Sequence, residues 1–183
     1  MTDDLYKSTS KELWAKFYVV SPKKFILLFV GTMGAYSIYW FYQQWDYYRS
    51  RTAGKQWPII RALFPIFFVH TLFSIFDLEH KDKTGKTLEN FKLLATFFVL
   101  LSIIDYSFNT LSGQGIGSPY TDLNTFVTLP LFGFILYKIQ LAVNVICDDS
   151  KGESNNTFTF ANYFWVILIL GLTIWVAYYS MNS

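Results

Sequence analysis

The sequence predicts an all-α fold, a polytopic transmembrane helix bundle with four or five hydrophobic segments. The first observation is the charge map: no Asp, Glu, Lys or Arg occurs in residues 25–45 or 154–183. The second is composition, since 52% of the 183 residues are hydrophobic and only 15% are charged. As a helix, residues 25–45 would be about 31 Å long, which matches the hydrocarbon core of a bilayer. We therefore expect an integral membrane protein in contact with lipid.

Five hydrophobic segments follow a polar N-terminal segment, residues 1–24, which we expect in the cytoplasm. Together with their loops the segments form one transmembrane domain, residues 25–183. We expect segment one to be an uncleaved signal anchor, because its apolar run is long and is preceded by 24 residues. Its end is rich in Tyr and Trp, which favour the headgroup level. The five segments cover residues 25–45, 57–76, 91–111, 123–147 and 160–179.

The second segment is the least regular. Its uncharged part, residues 62–76, is short for a span and contains Pro65. Two alternatives stay open: a tilted crossing helix, or a re-entrant or interfacial helix. The third segment contains Asp105 and the fourth contains Lys138, whereas the fifth has no charged residue. Residues 77–92, 112–122 and 148–157 have the Gly, Ser, Asn and Asp content of loops.

The distribution of the 15 Lys and Arg residues bears on orientation. The loop at 112–122 has none, which favours the non-cytoplasmic side for it. Five crossing segments with a cytoplasmic N-terminus put 11 Lys and Arg inside and 4 outside. If the second segment does not cross, the loop before it becomes cytoplasmic and the five N-terminal lysines move outside, which gives 10 and 5. The two counts do not decide between the models.

Polar residues recur at helical spacing within the hydrophobic segments. This pattern predicts an inward-facing stripe, which we call the polar seam. Its use as hydrogen-bonding contact between helices and its use as a path or small-ligand site both remain open. The seam residues are Thr32, Tyr36, Tyr39, Gln43, His70, Ser102, Asp105, Asn109, Gln140 and Asn144.

Motifs for other functions are missing. A net charge of +2 with no basic face argues against nucleic acid as a partner. The two histidines and single cysteine cannot supply a His- or Cys-rich metal site, and the glycines of residues 113–117 lack the strand of a dinucleotide site. We expect no cofactor, no metal and no catalytic residue, and an intramembrane enzyme stays open as a third alternative.

Several stretches resemble a group of short bacterial inner-membrane proteins of unassigned function. They are residues 17–25 (FYVVSPKKF), 34–45 (GAYSIYWFYQQW), 67–73 (FFVHTLF) and 155–162 (NNTFTFAN). The resemblance covers most of the chain and implies a multi-pass protein of the bacterial cytoplasmic membrane. It implies no site residue.

We expect a non-enzymatic membrane component that acts as a scaffold, sensor or assembly partner. The alternative is a small transporter or channel that uses the polar seam. Small residues four apart, such as Gly31 and Ala35, suit close helix contacts, so a homo-oligomer or another membrane protein is an expected partner.

Overall fold

The computed structural model describes residues 16–52 and 54–182, which form seven α-helices and one short 3-10 helix and include no strand. The all-α prediction is confirmed. Of the predicted N-terminal segment, residues 1–15 lie outside the described residues. The helices are α1 (Pro22–Gly31), α2 (Tyr36–Thr52), α3 (Pro58–Leu63), α4 (Pro65–Thr84), α5 (Phe91–Gly113), α6 (Asn124–Ile146) and α7 (Phe160–Asn182), with the 3-10 helix at Glu153–Asn155.

In the described part of the chain, α5 and α6 are the two helices long and apolar enough to cross a membrane. Each has 23 residues. Such a helix is about 34 Å long. Helix α7 is also apolar, over Phe160–Val176. Helix length and composition thus support a membrane protein weakly, and four or five crossings are not confirmed.

The first predicted segment is not one helix. Helix α1 ends at Gly31, and the chain turns through two residues with positive φ, Met33 (49°) and Gly34 (84°), before α2 begins. Gly34 suits this turn for two reasons. Glycine adopts positive φ without strain, and a Cβ there would come within 2.9 Å of the Leu129 side chain. The hydroxyl of Thr32 closes the turn, since it accepts a hydrogen bond from the Tyr36 backbone N–H at 2.9 Å.

Helices α1 and α2 form a hairpin whose two ends lie together. Lys16 precedes the hairpin and Arg51 lies near its end, yet both form ion pairs with Glu79 on α4, at 3.0 and 2.6 Å. Near them, Lys83 on α4 pairs with Asp148, just after α6. We call this region, where α2, α4 and α6 end, the charged end. The hairpin therefore enters from the charged end and returns to it.

The second predicted segment is also divided, into α3 and α4. Phe64 separates them with φ −121° and ψ 56°. Proline disfavours helical backbone in the residue before it, so Pro65 explains the break. The Arg61 guanidinium lies 4.2 Å from the Trp45 ring centroid and 5.0 Å from that of Phe68, which joins α3 to both α2 and α4.

Helix α4 does not extend along the whole of α5. The His70 imidazole lies 3.3 Å from the Thr96 hydroxyl, five residues into α5. Helix α4 therefore begins about halfway along α5 and runs back to the charged end. Helices α5 and α6 form a hairpin that runs the whole length of the fold. The α1–α2 and α3–α4 hairpins pack against the half of it that is nearer the charged end.

Aromatic side chains fill the space between these elements. Phe17 meets Phe76 edge-on with centroids 4.9 Å apart, and Phe41 meets Phe98 in the same way at 5.5 Å. Such pairs add to the free energy gained from burying apolar area. They join the N-terminal segment to α4 and α2 to α5.

Candidate functional site

An extended segment, residues 17–21, is buried between helices. It has no neighbouring strand, yet Phe17 and Val20 are fully buried. A buried peptide group without a hydrogen bond is costly, so other groups must serve as partners. Four side-chain amides do so: Gln44, Gln140, Asn144 and Asn155. We call them the amide cluster.

The side-chain amide of Gln44 makes two hydrogen bonds with the backbone of Tyr18. The Tyr18 N–H donates to Gln44 Oε1 at 3.2 Å, and Gln44 Nε2 donates to the Tyr18 carbonyl at 3.0 Å. This exchange reproduces the paired bonds between two strands of a sheet. Helix α2 thus holds the extended segment through a single side chain.

The other members of the cluster bind successive carbonyls. Gln140 Nε2 donates to the Tyr18 carbonyl at 3.3 Å, Asn144 Nδ2 to that of Val20 at 3.0 Å, and Asn155 Nδ2 to that of Val19 at 2.8 Å. The Ser21 N–H donates to the Asn155 carbonyl at 3.2 Å. These amides come from α6 and from the loop after it, so they tie the extended segment to the last third of the chain.

Gln140 has a second role. Its Oε1 accepts a hydrogen bond from the Trp40 indole, and its Nε2 also donates to Asn144 Oδ1 at 2.6 Å. Trp40, Gln140 and Asn144 are all fully buried. Their polar atoms are used within the fold, which is the arrangement expected of a structural cluster.

Asp105 lies in a separate cluster between α5 and α6. One carboxyl oxygen accepts hydrogen bonds from Asn124 Nδ2 (2.9 Å) and Thr128 Oγ1 (2.6 Å), and the other from Asn109 Nδ2 (3.0 Å). A cavity of about 220 Å³ adjoins this carboxyl group, and Ser102 also lines it. All three donors are neutral side chains.

Thr32, Tyr36 and Tyr39 lie at the turn of the first hairpin. The Tyr36 hydroxyl is 3.3 Å from the Tyr18 hydroxyl, and the Tyr36 and Tyr39 rings are in contact. All three residues line a second cavity, of about 580 Å³, between α1, α2, α3 and α7. The two cavities share no lining residue.

The structure therefore divides the predicted polar seam. Ser102, Asp105 and Asn109 lie together, Gln140 and Asn144 lie in the amide cluster, and Thr32, Tyr36 and Tyr39 line the large cavity. His70 contacts Thr96, outside all three groups. Gln43 is half-buried, and its neighbour Gln44 takes the place in the cluster.

Sequence reasoning missed Gln44, Asn124, Thr128 and Asn155. Gln44 follows Tyr36 and Trp40 at four-residue intervals, which is the signal that would have found it. Asn124 and Thr128 share the same spacing at the start of α6, opposite Asp105. Asn155 lies in a loop and carries no periodic signal.

Two charged groups at or beside the charged end have shifted pKa values. Burial raises the pKa of Glu79, but the hydrogen bonds and charges of Arg51 and Lys16 outweigh it and leave that pKa below its usual value. Lys24 is 3% exposed, and burial lowers the pKa of its ammonium group. Its Nζ donates to Asn155 Oδ1 at 2.6 Å and to the Thr157 carbonyl at 2.7 Å.

Comparisons with known proteins found no match among protein-family models, curated proteins or solved structures. Membership of the bacterial inner-membrane group stays a prediction. Within the residues that the structure describes, no group of three or more His, Cys, Asp and Glu side chains is placed to hold a metal ion.

Gln44→Leu tests the structural role of the amide cluster. We expect a loss of about 2–3 kcal/mol in the free energy of unfolding, because the Tyr18 N–H loses its partner while it stays buried. Gln43→Leu, one position earlier, is the matched control and should change stability by less than about 1 kcal/mol. Denaturant unfolding in detergent, followed by circular dichroism, measures both. Equal effects of the two substitutions would contradict the assigned role.

Proposed function

We propose that the chain is a non-enzymatic integral protein of the bacterial cytoplasmic membrane that acts as a scaffold, sensor or assembly partner. The observation that carries this proposal is the exposed surface of α7. Phe160, Ile167 and Ile174 are 85, 71 and 68% exposed, on a helix that packs against the short α1. Lipid or another membrane protein suits such a surface, and water does not.

The position of the charges supports a membrane orientation. Apart from Arg61 on α3 and Lys138 on α6, the Lys and Arg residues of the described chain lie at or beside the charged end. The loop between α5 and α6 has no Lys or Arg, and neither has the chain after Lys151. With a cytoplasmic charged end, every other Lys and Arg of the described chain meets the positive-inside rule, provided that the α1–α2 and α3–α4 hairpins are re-entrant. The protein then crosses with α5, α6 and α7.

Cysteine labelling tests this topology. On a Cys147→Ser background, we place one cysteine at Lys55, Tyr120 or Ser150, three exposed positions. A membrane-impermeant thiol reagent applied to intact spheroplasts should label only the Tyr120→Cys protein, because the other two positions face the cytoplasm. All three should react after detergent is added. Labelling of Lys55→Cys in intact spheroplasts would mean that the first segment crosses as one span.

Photo-crosslinking tests the scaffold proposal. A photoreactive amino acid at Ile174, on the exposed surface of α7, should give a discrete adduct of fixed mass with another membrane protein or a second copy in living cells. The same amino acid at Tyr106, 76% exposed on α5, is the control for contacts with lipid. Adducts of equal yield and pattern from both positions would count against a specific partner on α7.

A small transporter or channel is the second candidate, and the Asp105 cluster favours it. An ionisable side chain within a hydrophobic helix is costly and often functional. Here it adjoins a cavity whose lining residues include Ser37, Thr125 and Thr128. A path or binding site for a small polar solute would need these features.

Asp105→Asn separates the two candidates. The amide oxygen of the new side chain can still accept hydrogen bonds from Asn124 and Thr128. If Asn109 turns its amide over, its oxygen can accept from the new NH2 group. We therefore expect a free energy of unfolding within about 1 kcal/mol of the wild type. The scaffold proposal predicts unchanged membrane accumulation and an unchanged Ile174 adduct. Proton flux in proteoliposomes that is present in the wild type and absent in a folded Asp105→Asn protein would promote the transporter.

A further inference from the structure

The cavity of about 580 Å³ is an open groove with mainly apolar walls. Each neighbouring helix contributes: Leu28 from α1, Tyr39 from α2, Leu63 from α3, and Trp165 and Ile169 from α7. Its size lies in the range of sites for small organic ligands. Because α7 forms one wall and is itself exposed, the groove opens to the medium around the hydrophobic helices.

The groove has a polar rim at one end. Thr159 and Asn162, at the start of α7, line this part. Lys24, Leu28 and Thr32 follow each other at four-residue intervals along one face of α1, so Lys24 lies one turn beyond Leu28. The Lys24 ammonium group also contacts the Thr157 carbonyl, two residues before Thr159. The Lys24 ammonium group therefore lies next to the polar rim, although Lys24 itself is not one of the residues that line the groove.

The charge of Lys24 is not neutralised by a carboxylate in the described chain. Its hydrogen bonds go to Asn155 Oδ1 and the Thr157 carbonyl, both neutral oxygens, and an ammonium group has a third proton to donate. Lys23 beside it is exposed and adds a second positive charge. A buried cation of this kind favours an anionic partner.

We propose that the groove binds one acyl chain of an anionic phospholipid, with the lipid phosphate beside Lys24. The apolar walls accept the chain, and the Thr159 hydroxyl and the Asn162 side-chain NH2 at the rim donate hydrogen bonds to the glycerol and ester oxygens. The charged end carries Lys24, which matches the attraction of anionic headgroups to basic residues on the cytoplasmic side. This inference rests on the proposed membrane location, and it adds a class of ligand, an anionic phospholipid, to the proposed function.

Lipid titration of the purified, delipidated full-length protein tests the proposal by native mass spectrometry. The probes are phosphatidylglycerol and phosphatidylcholine with identical acyl chains. We expect phosphatidylglycerol to bind the wild type with a Kd about tenfold lower, because the headgroup charge differs while the chain does not. Equal affinities for the two lipids would overturn the assignment of the phosphate to Lys24.

Ala161→Phe tests the groove itself, since Ala161 lines it and a phenyl ring would occupy the space of the acyl chain. Gly171→Phe is the matched control on the same helix, where a Cβ meets nothing within 4 Å. Ala161→Phe should weaken binding of both lipids at least about tenfold, and Gly171→Phe should not. Equal binding by the two variants, or a lipid-free dimer in place of the lipid complex, would refute the groove as the site.

Lys24→Gln tests the charge. The variant should bind phosphatidylglycerol as weakly as phosphatidylcholine and keep its affinity for the latter, whereas Lys23→Gln should change the ratio less. If Lys24→Gln does not fold, the salt dependence of lipid binding to the wild type tests the charge instead. Higher ionic strength should then weaken only phosphatidylglycerol binding. A ratio independent of both charge and salt would overturn the proposal. The cysteine labelling described above tests membrane location separately, so the two failures are distinguishable.

Discussion

The fold depends on the hydrogen bonds between four side-chain amides, three of them fully buried, and the extended segment at residues 17–21. An extended chain among helices leaves peptide groups that no helix can satisfy, and burying them unpaired would cost more than the packing of Phe17 returns. The amides of α2, α6 and the loop after α6 solve this problem together. Each bond also fixes the distance between its helix and the segment. The segment thereby sets where α2 and α6 stand relative to each other.

This constraint explains why the first hydrophobic segment forms a hairpin. The segment ends beside α6 at the charged end, and Gln44 must return to the same place to meet Tyr18. A straight helix over residues 25–45 would carry Gln44 about 30 Å away. The turn at Met33 and Gly34 is therefore required by contacts that lie far apart in sequence. A continuous apolar run of bilayer length contains no sign of it, which is why the sequence predicts a single span.

The sequence predicts best what depends on local pattern. The helices α5, α6 and α7 agree with the expected segments within a few residues, because long apolar runs bounded by loops leave little choice. Proline at position 65 and the short uncharged run indicate the irregularity of the second segment. The contacts of the polar seam are harder to predict from the sequence. Helical spacing fits Gln43 as well as Gln44, and pairs such as Gln44 with Gln140, 96 residues apart, follow from tertiary packing alone.

Asn155 connects the extended segment to the groove. Its amide nitrogen holds the Val19 carbonyl, and its amide oxygen accepts from Lys24 at the groove rim. Gly152, three residues earlier, has φ 67° and lies so close to Ser21 that a Cβ would stand 2.6 Å from its backbone. The loop after α6 therefore has little freedom to move apart from the segment. A charge brought to Lys24 would act on Asn155, and through it on the extended segment whose other hydrogen bonds position α2 and α6. This is the physical link that a sensor in this fold would need.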